Sequence, residues 1–293
     1  MRITNRMMAD AATQDIARQR ERLFQAQETV SSGRRINRPS DDPQGAGRLV
    51  GHRETLSTID GYTAAITRAD TRLSTADSTL DIMADLLGTA TSLLRNAPTM
   101  NGSERSAAAE EIAQIREQVR GFANSQLEGN YLFAGHHVRG EPPFAKDGTY
   151  RGDDGQIRTP VGPGRTMAVN APGSELFLLD GDNKAAVLGV LDQAAADLAA
   201  GLDPATGAAD QVAEAQERLE GVQARGASRR FRLDAAREAL EDLAPRIEGL
   251  VADLENADIE EAIVELRVQE TAYETALQTA ARVLPPKLLD FLR

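Results

Sequence analysis

The chain has 293 residues, a net charge of −12 and no cysteine. The acidic balance argues against a nucleic-acid partner, which needs a basic surface, and the lack of cysteine excludes disulfides and thiolate metal sites. Only 4% of the residues are aromatic, which favours thin helical bundles over one large globular core.

The first predicted element is a helix over residues 1 to about 32. It is expected to end at Gly33, since glycine readily adopts the left-handed conformation that closes a helix. Its apolar residues at seven-residue spacing are Ile16, Leu23 and Val30. A connector with two prolines follows, and Asp42 before Pro43 has the pattern of a helix N-cap with proline at the first helical position.

The second helix carries the strongest periodicity, over residues 59–94. Its residues seven apart are Ile59, Ile66, Leu73, Leu80, Leu87 and Leu94. Such a stripe is typical of a coiled-coil seam. A second seam of the same length covers residues 219–254, so the two are predicted to be antiparallel neighbours. A shorter helix between them is expected to finish near Gly129.

The middle of the chain differs in composition. Ten of the 24 glycines lie between residues 129 and 181, and Asp154-Gly155 is a two-residue hairpin signal. The β-prone runs are 156–161, 166–169 and 176–179. These features predict a small β-rich domain, followed by one helix through Val187 and Leu198.

The last helix is predicted to begin after a boundary at residues 255–258. Asp258 and Glu261 have the spacing of a capping box, and Pro285-Pro286 should stop the helix. Its apolar stripe consists of Ile259, Ile263, Leu266, Tyr273, Leu277, Ala280 and Leu284. The apolar tail beyond it contains Leu288, Leu289 and Phe291.

The two ends of the chain carry opposite charge. Residues 1–38 contain eight arginines and four acidic residues, a net charge of +4. Residues 253–274 contain eight acidic residues and one arginine, a net charge of −7. Opposite charge beside apolar stripes favours pairing of the terminal helices with each other or with neighbouring copies. The alternative is two solvated faces that never meet.

These patterns predict a mainly α fold with an inserted β-rich domain, in which the N- and C-terminal halves form a long antiparallel helical bundle or coiled coil. Three domains are expected. Residues 1–42 and 256–293 supply the terminal helices, residues 43–130 and 208–255 form a helical rod, and residues 131–207 form the inserted outer domain.

Residue patterns typical of catalysis are scarce. Adjacent His136 and His137 point to opposite faces of an extended segment, and no cysteine completes a metal site. Asp147, Asp153 and Asp154 lie near glycines but lack the ligand spacing of an EF-hand. We therefore predict neither an enzyme nor a metal or cofactor site.

Several segments resemble bacterial flagellins and their hook-associated relatives. At the N-terminus the resemblance lies in Met1-Arg2-Ile3-Thr4-Asn5 and in residues 31–43, and at the C-terminus in residues 255–282. The run Gly129-Asn130-Tyr131-Leu132-Phe133-Ala134-Gly135 and the ending 287–292 resemble the members of the family at the junction between hook and filament.

The resemblance implies a structural axial component of the flagellum, secreted without a cleaved signal peptide. The terminal-helix stripes and the apolar tail would pack between subunits in a ring of identical copies. Other implied partners are the first hook-associated protein, flagellin and an export chaperone at the C-terminal region. No membrane or nucleic-acid partner is implied. Predicted subunit contacts in the connector are Arg34, Arg35, Asp41 and Asp42.

Two other functions fit the same features. A flagellin that forms the filament itself would share the terminal helices. A cytoplasmic coiled-coil scaffold would share the apolar stripes without being exported.

Overall fold

The computed structural model describes residues 5–283, which are mostly helical, so the predicted mainly α class is confirmed. In chain order the helices are α1 Asn5–Ser32, α2 Pro43–Asn96, α3 Gly102–Ala123, α4 Gly173–Leu176, α5 Ala186–Ala199, α6 Ala208–Glu255 and α7 Ile259–Val283. The strands are β1 Gln126–Leu127, β2 Asn130–Tyr131, β3 Arg158–Gly162 and β4 Arg165–Ala168, paired as the antiparallel hairpins β1–β2 and β3–β4. None of the helices between residues 5 and 283 combines the length and apolar character that a bilayer-spanning segment needs.

Local capping explains where the long helices begin and end, as the sequence predicted. Gly33 follows α1 with a φ of +69°, in the left-handed region that glycine tolerates. Asp42 Oδ1 accepts a hydrogen bond from the Gly45 N–H at 2.8 Å, which caps α2. Asp258 Oδ1 accepts the N–H of Glu260 at 3.0 Å and caps α7 in the same way. Each cap satisfies amide groups that the helix itself leaves unpaired.

The chain divides into two compact units. One contains the described residues up to Thr58 and from Leu243 onward, and the other contains Ile59 to Asp242.

The unit from Ile59 to Asp242 is built on α2 and α6. The predicted seven-residue stripe of α2 is buried, with each member at most 5% exposed: Ile59, Ile66, Leu73, Leu80, Leu87 and Leu94. Asp70 Oδ1 accepts a hydrogen bond from Arg230 Nε at 3.0 Å, and the Asp77 carbonyl accepts one from Gln223 Nε2 at 3.4 Å. Because the residue later in α2 contacts the residue earlier in α6, the two helices are antiparallel, as predicted.

The glycine-rich segment packs into the same core as α3 and α5. Phe144 lies 5.0 Å from the Tyr150 ring and 5.5 Å from the Phe177 ring, centroid to centroid. The Tyr150 hydroxyl donates to the Phe133 carbonyl at 3.0 Å and accepts from the Gly173 N–H at 3.0 Å. Burial raises the pKa of Tyr150 to about 12, so this hydroxyl stays protonated over the physiological range.

The signature run 129–135 is a structural element of this core. Leu132, Phe133 and Ala134 are each at most 1% exposed. Arg72 Nη2 donates to the Tyr131 and Leu132 carbonyls at 3.0 and 3.1 Å, which ties the run to α2. Burial lowers the pKa of Arg72.

The end of α3 differs from the prediction. α3 ends at Ala123 rather than near Gly129, because the Asn124 side chain exchanges two hydrogen bonds with the Phe144 backbone, at 2.9 and 2.8 Å. Glu128 and Gly129 instead form the β1–β2 turn, with φ values of 52° and 75°. Positive φ at both positions defines the turn type favoured in two-residue hairpins.

The predicted hairpin at Asp154-Gly155 is wrong. The turn of β3–β4 contains Gly164, with φ +65°. Asp153 Oδ1 accepts the backbone N–H groups of His136 and Gly155, at 2.7 and 2.9 Å, and these bonds fold the aspartate-glycine segment against the core. The predicted strand at 176–179 is also wrong at its start, since α4 includes Leu176.

Candidate assembly surface

The connector after α1 pairs with the segment between α6 and α7. Arg34 and Asn256 form an isolated antiparallel bridge. The Arg35 N–H donates to the Glu255 carbonyl at 2.7 Å, and the Ala257 N–H donates to the Gly33 carbonyl at 2.9 Å. The end of α1 therefore lies beside the start of α7, so these two helices are antiparallel.

Glu255 is the buried charge at this crossing. Its residue is 8% exposed, and its two carboxylate oxygens pair with Arg34 Nε at 2.7 Å and with Arg53 Nη2 at 2.6 Å. A buried carboxylate needs such partners because removing it from water is costly. Neither Glu255 nor Arg53 was among the residues predicted from sequence. A lone glutamate near a helix end has no pattern that marks it.

Asp41 and Asp42 accept hydrogen bonds from backbone N–H groups within the connector and at the start of α2. Asp41 Oδ2 accepts the N–H groups of Asn37 and Arg38, at 3.1 and 2.8 Å. The hydrogen bond from the Gly45 N–H is the main reason that the pKa of Asp42 lies below its usual value, and a hydrogen bond from Arg35 lowers that pKa further. Because the pKa of Asp42 is lower in the folded state, its carboxylate stabilises the fold at pH values above the ordinary aspartate pKa. This stabilisation is lost as the pH falls through the pKa of the folded state.

All four predicted connector residues thus make contacts within the chain. The side chains of Arg34 and Arg35 remain 57% and 47% exposed, which leaves part of each guanidinium available to other molecules. A subunit contact through the connector stays a prediction.

The seam between α1 and α7 consists of two matching heptad stripes. On α1 the partly covered residues are Ala12, Ile16, Gln19, Leu23, Ala26 and Val30, and on α7 the covered residues are Ala262, Leu266, Gln269, Tyr273, Ala276 and Ala280. Both series follow steps of four and three, as coiled-coil seams do. The predicted residues Ile16, Leu23, Val30, Leu266 and Tyr273 all lie in this seam.

The remaining predicted residues of α7 lie outside the seam. Ile259, Ile263 and Leu277 are 43%, 39% and 42% exposed. The smaller Ala262 and Ala276 take the seam positions beside them, since alanine lets two helices approach closely. Leu284, Leu288, Leu289 and Phe291 lie outside the described residues.

A second apolar face of α7 borders an open groove of about 1120 Å³. Val264 and Val268 line it and are 62% and 53% exposed. Ala272 and Ala276 continue the lining along α7, and Ala11 belongs to the α1 wall. This surface is unusually apolar for one open to solvent.

The opposite charges of the two terminal segments do not meet across the seam. In the part of the chain that the structure describes, no ion pair joins α1 to α7. Among the described residues, one ion pair links the two segments, and it joins Arg34 of the connector to Glu255. The helix pair therefore depends on its apolar stripes.

Two glutamines weaken that seam. The side-chain oxygens of Gln19 and Gln269 are buried and accept no hydrogen bond. Such a group loses its hydrogen bonds to water without replacing them, which costs about 1–3 kcal/mol.

Replacing Gln19 and Gln269 with leucine should therefore stabilise the unit that contains α1 and α7. We expect the free energy of unfolding to rise by about 1–3 kcal/mol, measured by urea unfolding of the full chain. The matched control is Gln14→Leu, because Gln14 is exposed on α1. An unchanged or lower stability of the double variant would show that these oxygens have partners in solution.

Comparisons with known proteins agree with this arrangement. A family model described as the bacterial flagellin N-terminal helical region matches residues 3–137. Residues 3–137 are therefore similar to this region of flagellins. The resemblance to the flagellin and hook-associated protein family predicted from sequence is thereby confirmed.

The chain is also similar to curated proteins. It is 28% identical over 180 residues to flagellar hook-associated protein 3 of Salmonella typhimurium strain LT2, and 27% identical over 180 residues to that of Escherichia coli K12. Each match covers 60% of this chain and 57% of the relative. The chain thus spans little more than half the length of the curated relatives it matches.

Solved structures share the fold of this chain. A putative flagellar hook-associated protein from Vibrio parahaemolyticus has a TM-score of 0.66 at 20% identity, covering 74% of this chain and 100% of that one. FlgL from Bacillus cereus has a TM-score of 0.60 at 20% identity, covering 69% of this chain and 99% of that one. At these identities the likeness establishes the fold.

Proposed function

We propose that this protein is a structural axial component of the bacterial flagellum that joins the hook to the filament through packing of its terminal helices. The observation that carries the proposal is the match over 180 residues to two proteins named flagellar hook-associated protein 3. In this role the protein is not an enzyme. It acts outside the cell, after export without a cleaved signal peptide.

The α1–α7 pair supplies the contact surface in this proposal. Val264 and Val268, together with Ile259, Ile263 and Leu277, leave two apolar faces of α7 open in a single chain. Apolar surface of this kind is stabilised when neighbouring molecules cover it. We infer that identical copies in a ring cover it, with the terminal helices as the inner layer of the assembly.

The remaining parts of the proposal concern organisation and partners. Residues 43–130 with 208–255 act as the helical rod, and residues 131–207 face outward. The first hook-associated protein lies on the hook side and flagellin on the filament side. Before export, a chaperone binds the C-terminal region and covers the same apolar faces.

Deleting the gene tests the proposal. Cells without the protein should keep intact hooks, lose their filaments and shed unassembled flagellin into the medium, because flagellin has no surface on which to start. Electron microscopy of hooks and immunoblots of the medium measure this, and a plasmid copy should restore filaments. Normal filaments on the deletion strain would refute a junction role.

One observation favours a filament subunit as the second candidate. The family model that matches residues 3–137 describes flagellin itself. A filament subunit should polymerise into long filaments when the purified chain is added to filament fragments, whereas a junction component should not. Long filaments composed of this chain would therefore replace the first proposal with the second.

A further inference from the structure

Phe231 is the most exposed of the large apolar side chains whose burial the structure describes, at 76%. It lies on α6, two residues before the buried Leu233. One turn away on the same face lie the exposed residues Ala227, Ser228, Asp234 and Ala235. By contrast, Phe133, Phe144 and Phe177 are fully buried. An exposed aromatic ring beside short side chains has the form of an anchor for another molecule.

The surroundings of Phe231 are basic, in a chain that is acidic overall. Residues 221–233 contain four arginines and no acidic residue, and the next acid, Asp234, pairs with Arg237 at 3.4 Å. Arg225 pairs with Glu175 and Arg230 pairs with Asp70. Arg232 Nε donates only to the Ser228 carbonyl, at 3.3 Å, and it forms no ion pair in the described chain. The face therefore fits a partner that is acidic and carries an apolar side chain.

The chain itself has a face of that kind on α2. Ile82 is 43% exposed, and Asp81 and Asp85 beside it are exposed as well. The stretch 73–94 contains no lysine, arginine or histidine. Neither aspartate forms an ion pair with any residue in the range 5–283. This surface is the chemical complement of the one around Phe231.

The two faces lie on opposite sides of the α2–α6 pair. Ile82 is two residues from the buried Leu80, and Phe231 is two residues from the buried Leu233, so each points about 200° away from the buried stripe of its helix. Since α2 and α6 pack through those stripes, the exposed faces point apart. They cannot meet within one chain.

The faces are also offset along the helix axes. Gln223 contacts Asp77, so these two residues lie at the same height along the helix pair. Because the helices are antiparallel, Phe231 and Ile82 lie in opposite directions along the axis from that height. The 13 residues between their levels correspond to about 20 Å at 1.5 Å per residue. Copies with parallel axes would therefore be displaced along the axis when one face meets the other.

The geometry points to a head-to-tail contact between copies of this protein, in which the Ile82 face of one copy packs on the Phe231 face of the next. This inference rests on the proposed function and specifies its subunit contact. The ring of Phe231 packs against Ile82, and Arg232 faces Asp81 and Asp85 of the neighbour. Because the two faces differ, a copy that uses its Ile82 face in one contact still has its Phe231 face available for the next copy. The contact can therefore repeat from copy to copy.

Introduced cysteines test the contact cleanly, because the chain contains none. Cells would carry Ile82→Cys and Phe231→Cys in the same chain, and their isolated flagella would be treated with a short bismaleimide. We expect a ladder of dimers, trimers and longer products on a denaturing gel. Either single variant should give no ladder, and a mixture of the two should stop at dimers. The control pairs Phe231→Cys with Ala107→Cys, an exposed residue of α3.

A second pair keeps both anchor side chains. Ser78→Cys and Ser228→Cys place the thiols one turn from Ile82 and Phe231. A ladder from either pair supports the contact. A protein that is present in the flagella but gives no ladder with either pair overturns it and leaves the proposed function standing. A wild-type protein that is absent from isolated flagella refutes the proposed function, and the contact with it.

Discussion

Replacing both Val264 and Val268 with aspartate is expected to abolish incorporation of the protein into the flagellum and, with it, swimming. These side chains are 62% and 53% exposed where α7 borders the groove, outside the seam with α1. The single chain should therefore keep its fold. In the assembly, a neighbouring copy would bury two unpaired carboxylates, and each would cost several kcal/mol.

The measurement is the amount of protein retained on isolated flagella, compared with the amount in the medium. Circular dichroism of the purified double variant should match that of the wild type. The matched control, Gln14→Asp with Gln25→Asp, adds the same charge at exposed polar positions of α1 and should be retained. Wild-type retention of the Val264 and Val268 double variant would show that this groove is not an assembly surface.

Replacing Glu255 with alanine should destabilise the unit that contains α1 and α7. Glu255 is buried and pairs with Arg34 and Arg53. Breaking a fully buried pair costs about 3–5 kcal/mol. Here both arginines are more than half exposed and regain water, so we expect a loss of about 1–3 kcal/mol.

Urea unfolding followed by helix content would measure this loss. Hydrogen exchange should accelerate at the paired amides of Arg35 and Ala257, which bridge the connector and the start of α7. The control is Glu248→Ala, because Glu248 is exposed on the same helix. Equal stability of both variants would show that the carboxylate of Glu255 contributes nothing at this crossing.

Elements that depend on local chemistry were predicted well. Asp42 and Pro43 mark the start of α2, and Asp258 marks the start of α7. These signals depend on residues close in sequence, and the same hydrogen bonds form whatever the rest of the chain does. The stripe of α2 was equally clear, because six large apolar residues recur at one spacing.

The candidate surface was predicted only in part, because α7 has more than one apolar stripe. Large residues such as Ile263 and Leu277 suggested one seam, whereas the structure places Ala262 and Ala276 against α1 and leaves the larger pair exposed. Periodicity identifies an apolar face, but which face a neighbour covers depends on how closely two helices can approach.

The sequence by itself determined the helical class, the starts of α2 and α7 and the likeness of residues 3–137 to the flagellin N-terminal region, since capping and periodicity act over a few residues. Only the tertiary structure decided that Asp153 would cap backbone amides near His136 instead of forming a hairpin, that Glu255 would join two arginines distant in sequence, and that Phe231 would remain exposed. The physical reason is that these hydrogen bonds, ion pairs and buried areas depend on contacts between residues distant in sequence, and a local sequence pattern does not specify such contacts.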